Sequence, residues 1–163
     1  MDHLVAQGRA AEVARAIALI RDSGMKAGIA GHTTAVFEWA EQHLDVDYYM
    51  CCYYNPTPRT DDPEHVHGAL EEYRDEDRRA MTGLIARLKH PAIHYKILAA
   101  GRNDPEAAFA YCGSHLRPKD LACVGVFTGD DPKMLAKDVR LFEKHARARA
   151  DVAEPVTTGS TSR

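Results

Sequence analysis

Four short apolar runs, each followed by a stretch with helical character, set the tightest limit on what this chain can fold into. The runs are residues 26–32, 46–54, 91–101 and 121–127. A helix over Ala10–Ser23 precedes the first, with Val13, Ile17 and Ile20 at helical spacing and Ser23-Gly24 as its stop. Thr33 or Thr34 can cap the helix that runs to His43. A turn-rich loop over 55–63 follows the second run, and the spacing then predicts a helix over 65–89, broken near Asp75. Asp104 caps a fourth helix with Pro105 at its first position. The turn Thr128–Pro132 starts the last helix, which is expected to end near Ala148. Units that alternate in this way build parallel sheets with right-handed crossovers. The run over 46–54 does not alternate apolar with polar, as in strands covered on both faces.

Four parallel strands do not close a barrel, whereas eight do, in about 250 residues. The fold expected is therefore α/β: parallel βα units forming the second half of a (β/α)8 TIM barrel over residues 1–150, with a disordered tail over 151–163. The tail lacks large apolar groups and reads as a natural end, so the opening helix would follow a missing fourth strand. A small open α/β sheet is the competing architecture. Against it, no run looks like an edge strand and no nucleotide-binding glycine fingerprint is present.

Several function classes are excluded or disfavoured. Twenty-one basic against 24 acidic residues leave a formal charge of −3, which gives no basic footprint for nucleic acid. No apolar run reaches transmembrane length, and Met1-Asp2-His3-Leu4 does not start like a signal peptide. Cys51, Cys52, Cys112 and Cys123 have no paired spacing and read as reduced packing residues of a cytoplasmic protein. His65 and His67 are two apart, a poor ligand spacing on a helix, and no metal is assigned.

In parallel α/β folds ligands sit at the carboxyl ends of the strands. His32, Asn55, Lys96 with Arg102, and Thr128 all fall there. Lys96 and His32 are the candidate catalytic residues, and Asn55, Arg102 and Thr128 the candidates for binding a small-molecule substrate. His32 suits acid–base work or substrate hydrogen bonding, against a backbone-bonded structural role. Lys96 reads as lying mid-strand, where it needs a wet cavity, a counter-charge or a chemical task. That task could be a Schiff base or the binding of a substrate oxyanion. Strand periodicity puts Ile93, Tyr95 and Ile97 under the helices and His94 with Lys96 on the other face, about 6.5–7 Å apart. His94 reads as packing. Arg102 could hold a carboxylate or phosphate, although Asp104, Asp130 and Asp131 occupy the helix starts an anion would use. Asp47 reads as a structural residue on the barrel floor.

Gly28-Ile29-Ala30-Gly31-His32, Asp47 ahead of a strand ending Tyr54-Asn55, a strand ending Ala100-Gly101, and Val124-Gly125 with Asp131-Pro132-Lys133-Met134-Leu135 resemble the second half of the aldo/keto reductase family. The likeness covers most of residues 10–145. It implies a (β/α)8 barrel, a nicotinamide cofactor such as NADP, and carbonyl reduction. It also implies nicotinamide contacts near Ala30 and Cys51 and an adenine contact near Lys137-Asp138. The family's catalytic tetrad belongs to the first half, so this chain is not expected to be active alone. It would work with a missing half-barrel or as a homo-oligomer. Lys96-Ile97-Leu98-Ala99-Ala100-Gly101 also looks like the lysine strand of Schiff-base aldolase barrels, which implies a lyase with Lys96 as nucleophile. A third reading is a non-catalytic half-barrel that associates with another chain.

Overall fold

The computed structural model describes residues 1, 2, 4, 7–55 and 72–153. In chain order its elements are α1 (Ala10–Asp22), β1 (Gly28–Gly31), α2 (Thr34–His43), β2 (Tyr48–Cys52), α3 (Asp75–Ile85), β3 (Ala92–Tyr95), α4 (Pro105–His115), β4 (Leu121–Cys123) and α5 (Met134–Ala153). The strands form a sheet in the order β1-β2-β3-β4, and each neighbouring pair is parallel. The architecture is thus α/β with alternating βα units, as the apolar runs predict.

Local chemistry explains the element ends. Gly24, at φ +78°, terminates α1 in a conformation other residues adopt only with strain. Asp104 caps α4 by accepting from the Ala107 amide at 2.9 Å. α3 starts with Asp75, Glu76 and Asp77 in its first turn, where the helix dipole favours acids. The expected break near Asp75 is therefore a helix start, and residues 56–71 lie outside the described residues. α5 runs past the expected end at Ala148, to Ala153, and crosses the boundary drawn at 150/151. The rest of the expected tail lies outside the described residues.

The sheet has two unlike faces. Ile29, Tyr49, Cys51, Ala92 and His94 are buried beneath the helices, beside Phe37, Leu84, Ile85 and Phe109. Each large side chain so placed contributes about 1.5–3 kcal/mol. On the opposite face Ala30, Leu121 and Cys123 are exposed and Met50, Ile93 and Tyr95 are half-buried. Among the described residues, coverage on both faces, expected from the apolar runs, is therefore not found. Sequential strand order with right-handed crossovers sends every connecting helix to the same side. Gly28 lies on the uncovered face, where a Cβ would come within 2.4 Å of the Tyr48 ring.

The third strand corrects two expectations. It ends at Tyr95, so Lys96 is the first residue beyond it and does not lie mid-strand. The faces are also reversed. Ala92 and His94 point under the helices, and Ile93 and Tyr95 point to the uncovered side. A buried polar network makes this tolerable. The His94 ring meets the Tyr53 hydroxyl at 2.9 Å on one nitrogen and Asp120 at 3.4 Å on the other. β1 and β4 are the sheet edges, although no run in the sequence looks like one.

An aspartate pins the amino end of each outer strand pair, β1–β2 and β3–β4. Asp47, just before β2, accepts from the Ala27 amide at 2.7 Å and faces Arg21 at 3.4 Å. Asp120, just before β4, accepts from the Ala92 amide at 2.8 Å and from Arg117 at 2.7 Å. The structural reading of Asp47 agrees with this placement.

Candidate functional site

The carboxyl end of β3 is where the backbone departs most from ordinary conformations. Lys96, one residue past the end of β3, has φ 58°, and Ala99 and Ala100 follow at φ 49° and 53°.

 These left-handed conformations cost about 1 kcal/mol per non-glycine residue. Gly101, at φ 83°, completes the turn without that cost. The turn is bolted in place. Asn103 donates its side-chain amide to the Tyr54 hydroxyl at 2.7 Å and to the Ile97 carbonyl at 3.0 Å. Ile97 and Ala99 are each 1% exposed and anchor the turn in the core. Strain that the surroundings over-determine in this way is a mark of functional segments.

Lys96 is half-buried and lines a groove of about 570 Å3 with Tyr95, Leu98, Cys123, Val126 and Phe127. Its ammonium makes no hydrogen bond or ion pair with any described residue. A cation fixed by a strained turn, in a groove that is apolar apart from Asp130 and with no ion pair to a described residue, can engage a carbonyl, a carboxylate or a phosphate.

His32 stands on the same rim, one residue past β1. Asp2 accepts from the His32 amide at 3.1 Å, lies 3.4 Å from the ring Nδ1, and accepts from the Thr33 amide at 3.0 Å and hydroxyl at 2.9 Å. The cap of α2 is therefore the distant Asp2, and the Thr33 side chain donates to it. Burial raises the Asp2 carboxyl, but the bonds from His32 and Thr33 outweigh burial and hold it well below the usual carboxylate range. The His32 ring meets the Tyr95 ring edge-on at 6.4 Å. Cys52 lies opposite Tyr95 in the β2–β3 register, and burial pushes the Tyr95 hydroxyl and the Cys52 thiol above their ordinary values. Lys96 and Asp2 both act on the Cys52 thiol through space. The structure thus gathers His32, Asp2 and Tyr95 at the carboxyl end of the sheet, with Lys96 following Tyr95 in the chain and acting on Cys52 through space.

The other candidates lie apart from this cluster. The Asn55 amide donates to Asp77 at 3.2 Å, at the start of α3. Arg102 is exposed, with its guanidinium 4.4 Å above the Tyr73 ring and 3.3 Å from the Ala99 carbonyl. Tyr73 packs on Tyr54, 5.5 Å away between ring centres, so Arg102 belongs to a second, tyrosine-lined cluster. Thr128 is exposed, and its neighbours Phe127 and Asp130 line the groove in its place.

Sequence reasoning missed Asp2, Cys52 and Tyr95. Asp2 precedes every periodic segment and carries no pattern signal. Cys52 and Tyr95 are paired by register across β2 and β3, which no single run reveals.

The positions implied for a nicotinamide cofactor do not fit one. Ala30 has no side-chain hydrogen-bonding group, and Cys51 is fully buried on the helix side, with its thiol pushed up by burial. Lys137 is engaged with Asp131 at 2.6 Å. Among the described residues no cluster of three histidine, cysteine or acidic side chains could hold a metal ion, and no helix is long and apolar enough to cross a membrane. No protein-family model, no curated protein and no solved structure matches the chain.

Proposed function

We propose that the chain is the carboxyl-terminal half of a (β/α)8-barrel enzyme and that Lys96 engages the carbonyl group of a small substrate. The observation that carries this reading is the unpaired Lys96 ammonium at the tip of β3, held by a strained turn in an apolar groove. The sequential parallel sheet, with one face uncovered and both edges free of strand partners among the described residues, supports the half-barrel. The reaction is Schiff-base formation. Lys96 gives up a proton, and His32, oriented by Asp2, is the acceptor on the same rim. The amine then attacks the carbonyl carbon, a C–N bond forms, and the carbonyl oxygen leaves as water. Reduction by a nicotinamide is not part of this reading, because Ala30 and Cys51 cannot hold one.

Borohydride trapping tests it. With pyruvate or glycolaldehyde as the carbonyl probe, the stable adduct is expected at Lys96, and Lys96→Arg should abolish it. An adduct spread over exposed lysines such as Lys89, and unchanged in Lys96→Arg, would overturn the assignment.

A further inference from the structure

The walls of the Lys96 groove limit what its substrate can carry. Leu98, Val124, Val126, Phe127 and Met134 line it, and its volume of about 570 Å3 is that of a small-molecule site. Val126 and Phe127 are 40% and 64% exposed, an apolar surface left open to water. The turn after Phe127 sets that wall. The Phe127 amide donates to the Met134 sulfur at 3.2 Å, and the Phe127 carbonyl accepts from the Asp130 amide at 3.3 Å. Gly129 leaves room for the ring, because a Cβ there would come within 2.8 Å of it. The same turn brings Asp130 to the groove, where Lys96 and Asp130 are the only charged residues among the described ones that line it. No ion pair joins these two side chains. Arg102, the cation next in sequence, does not line the groove and lies on the Tyr73 ring instead.

We propose that the substrate of this groove is an aldehyde or ketone with an uncharged, apolar body, and that Asp130 disfavours carbonyl compounds that carry a carboxylate or a phosphate. The proposal rests on the carbonyl reading of Lys96. An amine attacks a carbonyl only after it has lost its proton, and Asp130 is then the one charge left among the described groove residues. A substrate anion would meet a like charge there, with no cation on the described walls to answer it. An apolar body meets Leu98, Val126 and Phe127 instead and covers surface that is exposed without it. The imine forms by joining the Lys96 nitrogen to the carbonyl carbon, and the carbonyl oxygen leaves as water. Protonated, that imine is a cation, which Asp130 favours.

Borohydride trapping of the full chain with a matched pair of aldehydes tests it. Pentanal ends in a methyl group, and succinate semialdehyde ends in a carboxylate. The trapping rate at Lys96, read by peptide mass mapping, is divided by the rate of the same aldehyde with free Nα-acetyllysine. The normalised rate should favour pentanal by about tenfold or more. Asp130→Asn should raise the value for succinate semialdehyde several-fold, and Phe127→Ala should lower that for pentanal. Both residues are exposed, so neither change removes core packing. Equal values, or a preference for succinate semialdehyde, with the adduct at Lys96 would overturn the substrate class and leave the Lys96 assignment standing. A preference for pentanal that Asp130→Asn does not alter would overturn the role of Asp130. No adduct at Lys96 with either aldehyde would overturn both readings.

Discussion

The two ends of the sheet are built on opposite rules. At the amino end each acid that touches a strand is answered. Asp47 meets Ala27 and Arg21, and Asp120 meets Ala92, Arg117 and His94. At the carboxyl end Lys96 has no partner among the described residues and sits in a left-handed conformation. One end is satisfied and the other is strained and available. The same chain therefore places its satisfied acids and its available cation at opposite ends of the strands.

Breaking the amino end should have the largest effect. Asp120→Ala leaves the Arg117 guanidinium and the Ala92 amide without their acceptor and should cost about 3–5 kcal/mol in urea unfolding. A loss no larger than that of an exposed-site control would show that the amino end does not hold the sheet. Acid should reach the same contacts. Burial raises the Asp120 carboxyl, but bonds from His94, Arg117 and Ala92 outweigh it and hold the group well below the usual range. A carboxyl depressed in the fold contributes its stability above the unfolded value of about 3.9 and loses it as pH falls toward the folded value. The unfolding free energy should therefore fall as the pH drops below about 4, and Asp120→Asn should flatten that fall.

The carboxyl end should respond with the opposite sign. Lys96→Gly relieves the left-handed strain and should stabilise the chain by about 1 kcal/mol while removing the borohydride adduct. A destabilised variant would mean that Lys96 serves the fold. The smallest effect concerns the uncovered face. Cys123 is exposed and Cys51, Cys52 and Cys112 are buried, so a thiol reagent should label Cys123 well ahead of the others with little change in stability. Equal labelling of Cys123 and Cys51 in native conditions would deny the difference between the two faces.

The parallel α/β architecture was legible because apolar runs and turn chemistry act locally. Val13 and Ile17 at helical spacing, and Asp104-Pro105 at a helix start, need no knowledge of distant residues. His94 was misplaced because period two alone cannot tell which face is buried when a polar residue is satisfied by Tyr53 and Asp120 from elsewhere in the chain. Lys96 was noticed for its type, but its place beyond the strand depends on a backbone turn that non-glycine residues rarely make. The contact between His32 and Tyr95 joins two strand ends that are not neighbours in the sheet order, and no single segment carries that information.

The two aspartate clamps also order the folding of the chain. Asp47 and Ala27 are 20 residues apart, and Asp120 and Ala92 are 28 apart. The joint between β2 and β3, which pairs Tyr49 with Ala92, closes a longer loop. Loop-closure entropy grows with the length closed, and local contacts form faster than distant ones. On loop length alone the β1–β2 and β3–β4 pairs are expected to close before β2 docks on β3, an order that pulsed hydrogen exchange during refolding would check.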